Sequence, residues 1–164
     1  MSVVYEPIGV IRSSFTKLEG MPIQPVGAGE SLGELQLNDE FAPGLVNLDG
    51  FSRCILIYHF HKSRGFKLKV TPFMDTVQRG LFSTRAPKRP NAVGLSIVEI
   101  LSIEDNVVRI KGVDVLDNTP LLDIKPYVPR FDAWPEARCG WLETNAEKAV
   151  TISSDDRFTR GDIP

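Results

Sequence analysis

Hydrophobic and polar positions alternate along this chain in short runs separated by turn residues, with no sustained helical period before residue 132. Residues 3–15 read as a first strand, in which Ile8, Val10 and Ile11 suit a half-buried surface and Pro7 stands near the start. Gly20, Pro22, Pro25, Gly27 and Gly29 crowd residues 17–31 into a loop. Leu35 and Leu37 alternate with Gln36 and Asn38 as a short strand, and residues 41–49 predict a helical turn before Gly50. Residues 51–61 form a continuous apolar run of strand length, the pattern of a strand covered on both faces. It ends in His59 and His61, two apart and so on one face.

Leu68 and Val70 alternate with Lys67 and Lys69 as another half-exposed strand. Residues 95–103, a Glu104-Asp105-Asn106 turn and residues 107–115 predict a hairpin. Asp117-Asn118-Thr119-Pro120 is a further turn, and residues 121–127 a last strand-like piece. About seven short, mostly antiparallel strands with frequent turns predict an all-β fold, a small closed or partly open β-barrel with short helical turns. The division expected is a barrel domain over residues 1–132 and a C-terminal extension over 133–164. In that extension residues 141–150 predict a short helix packing Trp141 on the barrel, and the last ten or so residues a loosely held tail.

One stretch of 18 residues changes this picture: Arg79-Gly80-Leu81-Phe82-Ser83-Thr84-Arg85-Ala86-Pro87-Lys88-Arg89-Pro90-Asn91-Ala92-Val93-Gly94-Leu95-Ser96. It holds four cations (Arg79, Arg85, Lys88, Arg89) and no acid. Two prolines and two glycines keep much of it out of regular helix or central strand. An isolated basic run most often faces water. A stiff loop that concentrates guanidinium groups also suits carboxylate or phosphate oxygens, to which Arg offers a planar fork of donors. The formal net charge of the 164 residues is −2, so an anion site must be local, and a general nucleic-acid coat protein is excluded.

Other chemistry is thinly supported. Cys54 and Cys139 are too few for a disulfide framework, and Cys54 reads as a small core residue. His59-x-His61 with either cysteine lacks any zinc spacing, so no metal is expected. Ser83, His61 and Asp114 name a hydrolytic triad, but no nucleophile-elbow motif supports it. Asp123 reads as a partner for Lys125, and Asp117 as a turn former equally open to a functional role. Asp114, an acid at the end of an apolar strand, is the candidate functional carboxylate. No signal peptide and no membrane-spanning run is expected, and the chain reads as soluble and cytoplasmic.

Five ordered stretches carry a resemblance: Pro7-Ile8-Gly9-Val10-Ile11-Arg12-Ser13, Pro22-Ile23-Gln24-Pro25, Phe51-Ser52 through His61, the basic stretch, and Asp114 through Tyr127. Together they resemble the TsaA-like family, also called the TrmO family, over about residues 5–132. The resemblance implies a homodimeric, S-adenosylmethionine-dependent methyltransferase on a β-barrel that methylates the exocyclic nitrogen of threonylcarbamoyl-adenosine beside the tRNA anticodon. Carried over by position, it implies cofactor contacts at Pro22, Ile23, Gln24, His61, Lys62, Arg85, Leu95, Lys111, Gly112, Val113 and Asp114. It implies tRNA contacts at Arg79, Lys88, Arg89 and Asn91. Asp114 is then the candidate proton acceptor or the partner of the ribose hydroxyls. Ile23 stands where the family commonly has Arg, Asn118 where Gly is usual, and Ala92 where Pro is common. Two further readings stay open: methylation of a small molecule or a different RNA, and a cofactor-binding regulatory protein without turnover.

Overall fold

The computed structural model describes residues 3–22, 28–73 and 75–143. Among them are eight strands: β1 (Gly9–Ser13), β2 (Leu32–Leu37), β3 (Arg53–His59), β4 (Lys69–Val70), β5 (Arg79–Gly80), β6 (Val93–Glu104), β7 (Val107–Lys111) and β8 (Thr119–Pro126). Six of these close a barrel in the order β1-β2-β7-β6-β3-β8, every pair antiparallel. Strands β4 and β5 form a separate two-stranded ribbon. The all-β barrel expected from the alternation is therefore present and fully closed.

The period of two explains the core. Ile11, Leu35, Leu56, Val98, Val108, Ile110 and Leu121 point inward and are fully buried. In β3 only Cys54, Leu56 and Tyr58 face the interior. Ile55 and Ile57 lie half-buried outside, so this strand is covered on one face rather than two. Strand β6 is long because it serves two partners: its first half pairs with β3 and its second with β7. A bulge between Ile100 and Ser102 lets it bend at the change of partner.

Several boundaries differ from the alternation. Strand β1 starts at Gly9, not at residue 3. Strand β7 stops at Lys111, because Gly112 adopts a left-handed φ of 83° and turns the chain out of the ladder. Residues 113–116 therefore form a plug across one mouth of the barrel, with Val113 and Val115 buried in it. Ser31 Oγ donates to the Val113 carbonyl at 2.6 Å, and Ser13 Oγ to the Val115 carbonyl at 2.6 Å. Asn118 takes a left-handed φ of 61° in the following turn, a conformation that Asn tolerates. Asp117 accepts from Ser13 N at 3.1 Å, which ties this turn to the end of β1, and Asp123 pairs with Lys125 at 2.7 Å. The helical turn at 41–49 is present as two 3-10 segments, Asp39–Leu45 and Leu48–Gly50.

Trp141 sits in a 3-10 turn over Gly140–Leu142. Its indole N–H donates to the Ser83 carbonyl at 2.8 Å, and the Arg79 guanidinium lies 5.5 Å from its ring centre. These contacts pack it on the basic loop. The rest of the expected helix, 144–150, and the tail lie outside the described residues.

Small residues on β6 shape the same mouth of the barrel. Gly94 stands opposite Tyr58 in register, and a Cβ there would lie 2.2 Å from the Tyr58 ring. Phe60 meets the same ring edge to face at 5.4 Å. Gly94→Ala is expected to cost about 1–3 kcal/mol by overpacking, read as a lower denaturation midpoint with unchanged m-value. A variant as stable as the parent would show that Tyr58 is not held there.

Candidate functional site

The interior face of β6 reads Gly94, Ser96, Val98, so towards the plugged mouth apolar bulk gives way to small and polar groups. A hydrogen-bonded chain fills that space. Tyr58 Oη and Ser96 Oγ are 2.9 Å apart, and Ser96 Oγ donates to Asp114 Oδ1 at 2.7 Å. Asp114 is brought there by the plug, whose alternation buries Val113 and Val115 and turns the acid between them towards Ser96. Burial raises its pKa from 3.8 to about 6, against the opposing pull of the Ser96 hydroxyl, its own backbone N–H and the Arg85 guanidinium. Burial, reinforced by the charge on Asp114, also pushes the Tyr58 phenol well above its ordinary value. A carboxylate that titrates near neutrality in a partly open position is suited to accept a proton or to hold hydroxyls.

Arg85 acts on both Asp114 and Tyr58 through its charge, which sets the basic loop over this mouth. The loop is stiffened from within. Leu81 is buried with Val70 and Ala86 in a small second core. Thr84 Oγ1 donates to the Leu81 carbonyl at 2.8 Å. Arg89 Nη1 donates to the carbonyls of Thr84 at 2.9 Å and Ala86 at 3.3 Å, and its guanidinium lies 5.7 Å from the centre of the Phe82 ring. Arg79 is gripped by Asp75 at 2.7 Å and stacks on Trp141. Arg79 and Arg89 thus spend part of their donor capacity on the loop itself. Lys88 is half-buried, and the Asn91 carbonyl accepts from Val93 N in the turn into β6.

The other sequence-predicted residues spread around the same mouth. His61, just past β3, has Nδ1 3.3 Å from the Thr119 hydroxyl. Burial and then the charges of Lys62 and His59 lower its pKa. Lys62 is exposed beside it, and Leu95 is exposed on the outer face of β6. Gly112 N donates to the Ser31 carbonyl, and Val113 is core, its N–H and carbonyl both engaged by Ser31. Lys111 pairs with Glu30 at 2.9 Å. Pro22 is half-buried, while Ile23 and Gln24 lie outside the described residues. His59, not among those residues, has Nδ1 3.1 Å from the Ala92 carbonyl at an exposed position. The Ser83, His61, Asp114 grouping does not assemble: Ser83 Oγ donates to the Gly80 carbonyl, and each of the others has its own partner. Among the described residues no three His, Cys, Asp or Glu side chains converge on a metal position.

Sequence reasoning missed Tyr58 and Ser96. Their signal was present: a polar side chain at an inward position of each of two paired strands, with Gly94 opposite the larger. A groove of about 400 Å³ lies at the far end of the barrel between Phe41, Leu45, Phe51 and Pro126, away from this chemistry.

The fold and site define a closed antiparallel barrel with a buried acid at one mouth and a cationic loop above it. The family described as the tRNA-methyltransferase O N-terminal domain matches residues 10–133, and the chain belongs to it. A probable S-adenosyl-L-methionine-binding protein of Pyrococcus abyssi is 45% identical over 158 residues, covering 96% of this chain and 86% of that one. A tRNA (adenine(37)-N6)-methyltransferase of Mus musculus is 36% identical over 139 residues, covering 80% of this chain but 32% of its own length. The crystal structure of TrmO from Pseudomonas aeruginosa superposes with a TM-score of 0.73 at 37% identity, covering 86% of this chain and 63% of that one. The chain therefore spans about a third of the mammalian enzyme and under two thirds of the solved TrmO.

The raised acid has a thermodynamic consequence. Between pH 4 and 6 the folded state binds more protons at Asp114 than the unfolded state, so this group lowers stability as pH rises through that window. Asp114→Asn, whose amide oxygen still accepts from Ser96, is expected to be more stable than the parent at pH 7 by roughly 2–3 kcal/mol. The gain should shrink towards pH 4. Urea unfolding at both pH values checks this, and a variant less stable than the parent at pH 7 contradicts it.

Proposed function

We propose that this chain is an S-adenosylmethionine-dependent methyltransferase that methylates N6 of threonylcarbamoyl-adenosine beside the tRNA anticodon. The observation that carries the reading is the near-neutral carboxylate of Asp114 under the Arg85 loop, in a domain whose family match spans residues 10–133. The donor set fits the cofactor: a carboxylate for hydroxyl or ammonium groups and a guanidinium for a carboxylate.

In this reading Pro22, Ile23, Gln24, His61, Lys62, Arg85, Leu95, Lys111, Gly112, Val113 and Asp114 line the cofactor site. The cofactor supplies an activated methyl group with an excellent leaving group. What remains for the protein is alignment, which can contribute roughly 7–11 kcal/mol to lowering the barrier. Arg85 holds a carboxylate, and His61, neutral at pH 7, donates or accepts a hydrogen bond without adding charge. The acceptor nitrogen loses a proton on methylation, and in this reading the Asp114 carboxylate takes it while Ser96 donates to its Oδ1. Arg79, Lys88, Arg89 and Asn91 face RNA phosphates and bases.

A homodimer is part of the proposal. The outer face of β3 and β6 offers Ile55, Ile57, Val93, Leu95 and Ile97, all half-buried or exposed in one chain, as the surface for a second copy. A tRNA acceptor goes with a cytoplasmic location. The family match ending at residue 133 supports a methyltransferase domain over 1–132 with 133–164 as an extension. A second reading, cofactor binding without turnover, is favoured by the names of relatives of similar length, which are called S-adenosyl-L-methionine-binding proteins.

The deciding experiment is transfer of labelled methyl groups to tRNA carrying threonylcarbamoyl-adenosine, with nucleoside mass spectrometry of the product. Turnover is expected with the modified tRNA. Asp114→Asn should lower kcat by about 10²-fold or more, and Arg85→Ala should weaken cofactor binding in calorimetry. Cofactor binding without transfer to any tRNA would favour the second reading.

A further inference from the structure

The net charge of −2 conceals a division of the molecule. Between Phe60 and Val98 the chain carries eight of its nineteen Lys and Arg residues and one of its twenty-one acids, Asp75. That leaves eleven cations against twenty acids elsewhere. The single acid is itself engaged by Arg79 at 2.7 Å. Half of the local cations belong to the basic loop. The other half, Lys62, Arg64, Lys67 and Lys69, lie on the segment before it, where the alternation of Lys67 to Val70 by itself indicates no more than a half-exposed strand.

That segment is held against the basic loop at both ends. Ser63 Oγ donates to the Pro87 carbonyl at 3.0 Å. At the other end Leu81 N donates to the Leu68 carbonyl at 2.9 Å, and Lys69 pairs with Gly80 in the β4–β5 ribbon. The two stretches are thus parts of one surface. Lys62, Arg64, Lys67 and Lys69 are all exposed. Between and beside them stand bulky apolar groups that the fold leaves in solvent: Phe66 at 51% exposure and Phe82 at 74%. Val70, Leu81 and Ala86 form the small second core of this region, and neither ring belongs to it.

We propose that residues 62–69, through Arg64, Lys67, Lys69 and the ring of Phe66, form with the basic loop one continuous face for the unpaired loop of an RNA. The inference rests on the reading of the protein as a tRNA methyltransferase and adds where that RNA lies. The chemistry is that of single-strand recognition. Clustered cations neutralise backbone phosphates, and exposed rings stack on unpaired bases, which every base permits through its π-face. The cations sit beside the mouth that holds Asp114, because the segment begins directly after His61. A base presented to that mouth therefore brings its flanking phosphates over residues 62–69. The surplus of acids on the remainder repels the rest of the RNA and favours this one orientation. A domain that matches under two thirds of the solved TrmO chain carries by this face an RNA contact of its own.

The test is binding of a fluorescein-labelled anticodon stem-loop RNA, followed by anisotropy across a salt series. The variants are Arg64→Gln/Lys67→Gln/Lys69→Gln together and Phe66→Ala alone. Thermal unfolding and cofactor calorimetry serve as controls for folding. The triple variant is expected to bind at least tenfold more weakly at low salt. Its slope of log K against log salt should fall by about 2, near 0.7 per lost phosphate contact. Phe66→Ala should bind about fivefold or more weakly with an unchanged slope. A triple variant that binds like the parent, while Lys88→Gln loses affinity, overturns the proposal and leaves the methyltransferase reading standing. Weaker binding of the triple variant to heparin but not to the RNA also overturns it. RNA binding that agrees with these expectations without any methyl transfer would sink the enzymatic reading and keep the face.

Discussion

The structure depends on the left-handed turn at Gly112. A β-strand that continued past Lys111 in the register of Val108 and Ile110 would have put Val113 and Val115 on its outer face, in water. The turn instead ends the ladder and sends the chain across the barrel mouth. Across the turn the buried positions shift by one, so the two valines enter the core and the acid between them meets Ser96. Burial of a carboxylate is unfavourable in itself, and it is tolerated because a hydroxyl donates to it and a guanidinium lies near. Ser13 and Ser31 fix the plug by its carbonyls, so the acid cannot relax outward without breaking two hydrogen bonds of 2.6 Å.

Closure of the barrel supplies the other half of the constraint. Strand β8 pairs with β1 on one side and β3 on the other, which joins the first and last strands of the domain. With no free edge, residues on the inner faces have no route to solvent except at the mouths. Replacing bulk by Gly94 and Ser96 at one mouth therefore makes room there for Tyr58 and the polar chain it begins. Tyr58 fills the space that Gly94 vacates and presents its hydroxyl to Ser96. Among the described residues no buried side-chain polar atom lacks a partner, as a buried polar chain requires.

The basic loop works by a different principle. It has little secondary structure, and its shape comes from side chains spent on its own carbonyls. Arg89 and Thr84 hold the turn, Arg79 is clamped between Asp75 and Trp141, and Leu81 anchors the whole to Val70 and Ala86. Cations used in this way rigidify the loop and present what remains of their charge in fixed positions. Rigid presentation lowers the entropy lost when an anion is held. Charge and shape are thus coupled in the same residues.

Local pattern was enough to specify the class of fold, most of the strands and the importance of the basic stretch and of Asp114. Alternation with period two and frequent Gly, Pro and Asn turns are short-range signals, and closure is the ordinary outcome for a chain with many short strands. The Asp123–Lys125 pair was equally legible, since residues two apart on a strand share a face. The end of β7 at Lys111 was not, because residues 107–115 read as one apolar run, although Val113 and Val115 fall on the opposite parity from Val108 and Ile110 and the left-handed Gly112 makes the change. Nor was the Tyr58–Ser96–Asp114 chain, whose members are separated by 38 and 18 residues and meet only through register. The face made by residues 62–69 and the basic loop is also a tertiary product. Two hydrogen bonds far apart in the chain, Ser63 to Pro87 and Leu81 to Leu68, set the two runs of charge side by side, and such contacts have no signature in either run alone.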